Sequence, residues 1–481
     1  MYLRRNSINK YNYNIIVIGA GSAGLVSSYI ATLLKAKVLL IEKNQMGGDC
    51  LNTGCVPSKT LIKSAKVLSY FKRSKEFGFK RIIADFEFKD LMKKVNDTIK
   101  KIAPHDSIER YSSLGVDCLK GNGKIVGKHS VEINGEIKTA RSIIIATGAS
   151  PFLPKIKGLE KIKYYTSENI WTLKKLPKNL LILGGGPIGL EMSQAFSIFG
   201  SKVTLIEIND QILANEDEDV ANLISENFQK EGIRVLVNVK AKEFKMKKLV
   251  CEIKNEKVEI DFDCVLLALG RRGNLKGLGL ESVGVKTNKH ENLEVNSFLQ
   301  TNIPNIFVCG DVIGPYQFTH VAAYQALNAT INALFMPLRK FKIDYSVIPR
   351  SIFTSPEIAR VGLNEKQAKM LNISYEQSIY KLKDLDRAII ESEQAGFVKV
   401  LTKPNKEKII GVTIVSYNAS EMIAEFTLAM KNNIGLDKIL NTIHVYPTMN
   451  EANKYVASVW KNKKLSKLVI KLLEYFNNLL R

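Results

Sequence analysis

Cys50 and Cys55, in the run Gly47-Gly-Asp-Cys50-Leu-Asn-Thr-Gly-Cys55-Val-Pro-Ser-Lys59, are the residues best placed to do chemistry. Six cysteines at positions 50, 55, 118, 251, 264 and 309 are too few and too scattered for a disulfide framework. In a reducing compartment a close pair points instead to redox chemistry or to metal binding. A metal site needs two more soft ligands nearby, and the sequence neighbourhood supplies none. Five residues apart on a regular helix, two Cα atoms lie about 8 to 9 Å apart, beyond the roughly 4.4 to 6.8 Å that a disulfide accepts. A bridge between them therefore requires a deformed turn. Gly54 relaxes the backbone limits and Pro57 removes a helical N–H, so the sequence supplies the means.

The pair follows directly on an element that recurs. The apolar run Tyr13 to Ile18 ends in Gly19-Ala-Gly21-Ser-Ala-Gly24, then Leu25 to Leu34 reads as a helix and Lys37 to Ile41 as a strand closing on Glu42. Leu180 to Leu183 runs into Gly184-Gly-Gly186-Pro-Ile-Gly189, a helix to Phe199 and a strand Lys202 to Ile206 closing on Glu207. The offset is 165 residues for each of the three glycines and for the acid, and in both copies the acid lies 18 residues after the third glycine. Strand, glycines, helix, strand and acid in this order make a dinucleotide-binding fingerprint. The first glycine permits the tight turn, the second lets backbone approach a pyrophosphate, the third lets helix and strand close, and the acid takes ribose hydroxyls. Free N–H groups and the positive end of the helix face the phosphates. Two copies imply two dinucleotides. The second strand ends Glu207-Ile208-Asn209 with no arginine for a 2′-phosphate, which a carboxylate would repel, so NADH is expected rather than NADPH.

Two more apolar strands, Ser142 to Ala146 before Thr147-Gly148 and Cys264 to Leu269 before Gly270, bracket the second copy, as though its domain were inserted into the first. Asn305 to Cys309 is a further buried strand closing on Gly310-Asp311. From about Ser346 the pattern turns to alternating strands, Phe397 to Leu401 and Ile409 to Val415, with a helix from Ser420 to Lys431. The expected architecture is α/β. It has two Rossmann-like dinucleotide-binding domains (1–150 with 268–345, and 151–267), an α+β domain over 346–460, and a basic amphipathic helix over 461–481. In that tail Leu465, Leu468, Val469, Leu472, Leu473, Phe476, Leu479 and Leu480 recur at helical spacing, so some surface must bury them: their own subunit, a second copy or a membrane.

A length of 481 residues, 45% hydrophobic and 24% charged, describes a globular protein of several domains. No stretch approaches the ~18 to 20 apolar residues of a membrane span. Met1 to Asn14 carries Arg4, Arg5 and Lys10 but no apolar signal core or cleavage site, so a cytoplasmic protein is expected. The formal charge of +23 is dispersed along the chain and reads as a solvated basic surface, with no nucleic-acid partner expected.

The motif GGDCLNTGCVPSK, the two fingerprints, Ala146-Thr-Gly148, Gly270-Arg-Arg and Cys309-Gly-Asp311 together resemble the class I pyridine nucleotide-disulfide oxidoreductases. That family includes dihydrolipoamide dehydrogenase, glutathione reductase and mercuric reductase, and the resemblance runs from about Asn14 to Val459. It implies FAD at the first fingerprint and the nicotinamide dinucleotide at the second. It implies a homodimer and a relay from NADH through FAD to a redox-active disulfide between Cys50 and Cys55. By the same resemblance Cys55 lies against the flavin, Cys50 attacks the substrate, Lys59 sits by the flavin paired with Glu191, and Asp311 holds the ribityl chain.

The family's disulfide reductases carry a C-terminal His-Pro-Thr, the histidine being the acid/base for the leaving thiol, with a glutamate four residues after the proline. Here the segment is His444-Val-Tyr446-Pro447-Thr-Met-Asn-Glu451, so Glu451 is in place and Tyr446 stands at the histidine position. A phenol ordinarily titrates at about 10, which makes a tyrosine a poor proton shuttle at neutral pH. His444, two residues away, is a conceivable rescue base, although in an extended segment it should face the other side. Tyrosine at this position resembles mercuric reductase, but neither that enzyme's C-terminal vicinal cysteines nor its N-terminal metal-binding domain is in this sequence. The expected reaction passes the electrons on to a small acceptor in a dihydrolipoamide dehydrogenase-like enzyme with Tyr446 in place of the catalytic histidine; a mercuric reductase-like metal-ion or quinone reductase is the alternative. A membrane-associated regulatory subunit with little turnover is the remaining one.

Overall fold

The computed structural model describes residues 10–288, 292–464 and 467–481. Arg4, Arg5 and Leu465 lie outside the described residues, as do the side chains of Lys467, Leu468 and Val469. Two compact units are present, one made of residues 1–64, 85–176 and 264–344, the other of residues 65–84, 177–263 and 345–481.

In the first unit Ile15, Ile16, Val17 and Ile18 are all buried, as befits a strand covered on both faces of a parallel sheet. The strand Tyr13–Ile18 pairs in parallel with Val38–Glu42 on one side and Glu136–Ile145 on the other. Val116–Lys120 continues the sheet beyond Val38–Glu42, and Ile306–Val308 pairs with Ile143 to Ile145. The strand ends that the sequence singles out therefore line up side by side: Ile18, Ile41, Ile145 and Val308. The helix Ser22–Leu33 packs on Thr319–Phe335, and the contact is made of small residues, Ala23 and Ala31 against Ala322, Ala326 and Ala329, which allow close approach. Ala149–Pro151 and Arg271–Gly273 form an antiparallel pair where the chain departs toward the second fingerprint and where it returns.

In the second unit Asn179–Leu183, Lys202–Ile206 and Arg234–Leu236 make a parallel sheet in that order, with the helix Pro187–Phe199 between the first two strands in sequence. Proline opens that helix, where its missing N–H costs nothing. Val239–Lys245, Lys248–Ile253 and Glu256–Asp261 follow as an antiparallel meander. The C-terminal part is a five-stranded antiparallel sheet in the order Pro349–Ile352, Glu357–Gly362, Ile409–Ser416, Phe397–Thr402, Glu376–Lys381. Met422, Ile423 and Phe426 of the helix Ala419–Lys431 and Val456, Ala457 and Trp460 of the helix Glu451–Lys464 share a core with Val398, Val400, Val412 and Ile414 of the sheet. Buried charge ties the two parts of this unit together. Lys399 Nζ, on a residue 1% exposed, lies 2.8 Å from Asp217 Oδ2, Asp219 Oδ2 and Glu365 Oε1, and Arg360 Nε lies 3.0 Å from Glu216 Oε2.

The tail departs from one of its three expected fates. Lys461, Lys463 and Lys464 complete the helix Glu451–Lys464, and a separate helix spans Lys467–Leu480. Leu472, Leu473, Phe476, Leu479 and Leu480 are between 52% and 72% exposed, so the chain's own core does not cover the stripe. Among the described residues no helix is long and apolar enough to cross a membrane.

Candidate active site

At the first fingerprint Gly19, Gly21 and Gly24 carry the chain from the strand Tyr13–Ile18 into the helix Ser22–Leu33. A Cβ on Gly24 would stand 1.7 Å from the Gly19 carbonyl oxygen, so only glycine lets the helix close on the turn. Glu42 Oε2 accepts from Ala20 N at 2.7 Å, its other oxygen from Asn44 N at 2.7 Å. The second fingerprint, Gly184, Gly186 and Gly189, repeats this: Glu207 Oε2 accepts from Gly185 N at 2.6 Å and Oε1 from Asn209 N at 2.9 Å. Both acids are thus held at the lip of their glycine turn by a backbone N–H 22 residues earlier.

The cysteine segment is built against the first turn. Gly48 has φ +57° and a Cβ there would lie 2.6 Å from the Gly21 Cα, so the segment and the glycine turn touch backbone to backbone. Cys50 sits in the short helix Gly48–Asn52 and Cys55 opens the helix Cys55–Lys72, with a break at Thr53 and Gly54. The expected deformed turn is this break. Asp49 O accepts from both Thr53 N at 2.9 Å and Gly54 N at 2.6 Å, and Trp171 Nε1 donates to Thr53 O at 2.8 Å. Pro57 is the third residue of the second helix, in the first turn, where N–H groups lack helical partners anyway.

Both cysteines are free thiols here, and they are unequal. The Cys55 thiol is lowered to about 6, first by the hydrogen bond from Cys50, then by Thr319 and the Lys59 ammonium, against burial and the Asp49 charge. Cys50 is pushed up, first by that same bond to Cys55 and then by burial. These opposite shifts favour the charge on Cys55 and the proton on Cys50. Thr319 Oγ1 lies 3.6 Å from Cys55 Sγ and opens the helix Thr319–Phe335, whose positive end further favours an anion. Lys59 follows Cys55 by one helical turn.

Around the pair Arg271 Nη2 lies 2.6 Å from Asp49 Oδ2 and donates to Ala149 O at 2.5 Å, while its Nε is buried without a hydrogen-bond partner. Burial raises the Asp311 carboxyl, with Arg271 opposing and Asp49 reinforcing that shift. Thr147 Oγ1 donates to Asn274 O at 2.9 Å, Asn274 N donates to Gly148 O at 2.9 Å, and Phe152 N donates to Gly270 O at 2.9 Å, which pins these strand ends together. The glycine turn, an acid at its lip, an orphaned guanidinium N–H and a buried carboxyl form a donor and acceptor set that fits a flavin dinucleotide. Gly19, Gly21, Gly24, Glu42, Thr147, Gly148, Gly270, Arg271 and Asp311 would hold it.

Glu191 is buried on the helix Pro187–Phe199, and its Oε1 accepts from Phe353 N at 2.9 Å. Tyr446, 65% exposed, donates its hydroxyl to Asp386 Oδ2 at 3.0 Å, and this bond raises the phenol above its ordinary value. Glu451 Oε2 accepts from Thr448 N at 3.1 Å at the start of its helix. His444 is no spare base: Nδ1 lies 2.9 Å from Thr442 O and Nε2 2.9 Å from Glu425 Oε1, so both ring nitrogens are engaged. Four residues were given no role from the sequence. Thr319 and Asp386 carry no local signal, being brought in from 264 and 60 residues away. Asp49 was visible as a charge next to Cys50, and its partner Arg271 as part of Gly270-Arg-Arg.

Residues 13–326 match the pyridine nucleotide-disulphide oxidoreductase family and residues 348–457 match its dimerisation domain. The chain is 34% identical over 464 residues to a mercuric reductase of Lysinibacillus sphaericus, covering 94% of this chain and 84% of that one. It is also 34% identical over 446 residues to a dihydrolipoyl dehydrogenase of Chlamydia pneumoniae, covering 91% of this chain and 95% of that one. Among solved structures it resembles the copper(II) complex of the HOCl-induced flavoprotein disulfide reductase RclA from Escherichia coli. The TM-score is 0.82 at 25% identity, over 93% of this chain and 99% of that one.

Proposed function

Because the chain belongs to the pyridine nucleotide-disulphide oxidoreductases, whose members are FAD-dependent and take electrons from NAD(P)H, we propose that it uses NADH to reduce a small acceptor through Cys50 and Cys55. On this reading 1–150 with 268–345 holds FAD, 151–267 holds NADH against Glu207, and 346–460 pairs two copies. Bound FAD supplies the two-electron link between the nicotinamide and the cysteines. Two electrons and one proton turn the Cys50–Cys55 disulfide into the Cys50 thiol and the Cys55 thiolate. Lys59, with Glu191 as its proposed partner, and Thr319 stabilise that thiolate. The observation that carries the reading is the placement of the pair: Cys50 and Cys55 flank a break between two helices, on a segment whose Gly48 touches the first glycine turn backbone to backbone.

The acceptor is the finer part of the proposal. A disulfide acceptor attacked by Cys50 releases a thiolate that must be protonated. Tyr446, taken to reach this sulfur from a second subunit, is bonded to Asp386 and so keeps its own proton more firmly than a free phenol. A soft metal ion held by the two sulfurs needs no such proton, so metal ions are favoured over lipoamide or glutathione disulfide. The names of the mercuric reductase relative and of the copper-bound RclA structure agree with that preference. As to place, the reading is a cytoplasmic enzyme that touches the inner face of a membrane.

The test is an anaerobic NADH titration followed by an acceptor screen with mercuric and cupric ions, lipoamide, glutathione disulfide and quinones. Tyr446→His, which supplies a base with a pKa near neutrality, should raise lipoamide turnover at least about 100-fold, the low end of the roughly 10²- to 10⁴-fold that general acid/base catalysis contributes. Unchanged lipoamide turnover in the variant, or wild-type turnover of lipoamide faster than of any metal ion, would refute the assignment of Tyr446.

A further inference from the structure

The C-terminal helix Lys467–Leu480 has an apolar face that its own chain leaves uncovered. At 100° per residue Leu472, Leu473, Phe476, Leu479 and Leu480 fall within an arc of about 120°, while Lys471, Glu474 and Asn478 fall on the opposite side and Ile470 and Asn477 lie between. Tyr475 stands at the rim between them, a position that suits a ring with one apolar and one wet end. We propose that this helix is an interfacial anchor that lies in the surface of an anionic lipid bilayer, its leucines and Phe476 among the acyl chains and its cations among the headgroups.

Three features select lipid as the occupant. Residues 465–481 hold three cations, Lys467, Lys471 and Arg481, against the single acid Glu474, on a chain of net charge +23. The base of the tail is fastened to its own unit: Lys461 Nζ lies 2.6 Å from Asp437 Oδ1, Lys463 donates to Gln377 O at 2.7 Å, and Lys464 pairs with Glu376 at 2.5 Å. Lys471 and Arg481 take no part in that attachment and stand exposed for headgroups. Finally, the apolar arc is broader than the narrow seam by which two helices pair, and a second copy of this helix would set like charges side by side. An anionic surface removes that repulsion and accepts the whole arc at once. The proposal draws on the cytoplasmic placement above only to name the inner leaflet, and the identity of the electron acceptor does not enter it.

The experiment compares the flavin-loaded full chain with a version ending at Lys464, which keeps the helix Glu451–Lys464 and its ion pairs. A full-length Leu473→Glu, Phe476→Glu double variant, altered only at exposed positions, guards against effects of shortening the chain. Each is sedimented with vesicles of phosphatidylcholine alone and with roughly a quarter phosphatidylglycerol. The full chain should bind the anionic vesicles, weakly the neutral ones, and less as salt rises; the truncated and double-variant proteins should stay in the supernatant. Lys467→Gln with Lys471→Gln should weaken partitioning by about fivefold per lysine. NADH-driven reduction of a water-soluble acceptor should be equal in all forms, so that loss of binding with retained turnover leaves the catalytic reading untouched. Equal partitioning of full and truncated chains, or none by the full chain at physiological salt, overturns the anchor. So does a truncation that dissociates the oligomer without any vesicle binding by the full chain, which would assign the face to a second copy.

Discussion

Replacing Thr319 with valine removes the hydroxyl that lies 3.6 Å from Cys55 Sγ and leaves the side-chain shape nearly unchanged. When Cys55 is a thiolate it can only accept, so the Thr319 hydroxyl must donate, and its loss penalises the charged form alone. A hydrogen bond to a charged group is worth about 1.5 to 3 kcal/mol, and because this one is long at 3.6 Å the lower end applies. At about 1.36 kcal/mol per pH unit that is a rise of about one unit. From a starting value of about 6, the thiolate fraction at pH 7 falls from about 0.9 to about one half. The sign is fixed: the thiolate persists above the Cys55 pKa and is lost as pH falls through it, so the variant loses it at higher pH than the wild type.

Two readouts check this. The pH dependence of Cys55 alkylation in the reduced protein reports the thiolate directly, and the long-wavelength thiolate-to-flavin absorbance of the flavin-loaded protein after two electrons from NADH reports it beside the cofactor. Thr319→Ser keeps the hydroxyl and should titrate as the wild type, while Cys55→Ser should lose the band and keep its FAD. A midpoint in Thr319→Val within a few tenths of a unit of wild type would refute the claim that Thr319 supports the charge. Persistence of the band in Cys55→Ser would assign the thiolate to another residue.

Glu207 should make kcat/KM for NADH exceed that for NADPH by at least about tenfold, the equivalent of ~1.4 kcal/mol, and Glu207→Gln should narrow the gap; a wild-type preference for NADPH contradicts the reading. Lys399→Met removes the cation shared by Asp217, Asp219 and Glu365 and leaves the buried Asp217 carboxylate without its ion partner, so stability should fall by roughly 3 kcal/mol, the low end for a broken buried pair. Urea unfolding followed by far-UV circular dichroism measures that loss, and a change under about 1 kcal/mol would mean the carboxylates find other partners or protons.

What the sequence made legible follows from the range over which its signals act. A glycine turn and the acid 18 residues beyond it are local requirements, and the 165-residue repeat reappears in three dimensions as two equivalent bonds, Glu42 to Ala20 N and Glu207 to Gly185 N. The break between Cys50 and Cys55 was legible for the same reason, since Gly54 and Pro57 lie inside it or just beyond it. Pairings made by the fold were not. Asp49 meets Arg271 across 222 positions and Cys55 meets Thr319 across 264, and nothing in composition or periodicity links such residues. The tail shows the limit from the other side: periodicity announces an apolar stripe but carries no information about what covers it.

The proton inventory of the site narrows the chemistry. Thiol exchange requires the attacking sulfur as a thiolate, yet Cys50 is the sulfur that is pushed up, by its bond to Cys55 and then by burial. In a disulfide reductase a nearby base removes that proton and later returns it to the leaving thiol. Here Tyr446 is a phenol whose bond to Asp386 raises it, and His444 has both nitrogens committed, so neither is suited to that exchange. A soft metal ion does not need a base of this kind, because coordination itself displaces the thiol proton to water as the metal–sulfur bond forms. Under the proposed function, tyrosine in place of histidine would slow disulfide exchange, yet it is compatible with a dithiol that delivers its two electrons to a metal ion bound between Cys50 and Cys55.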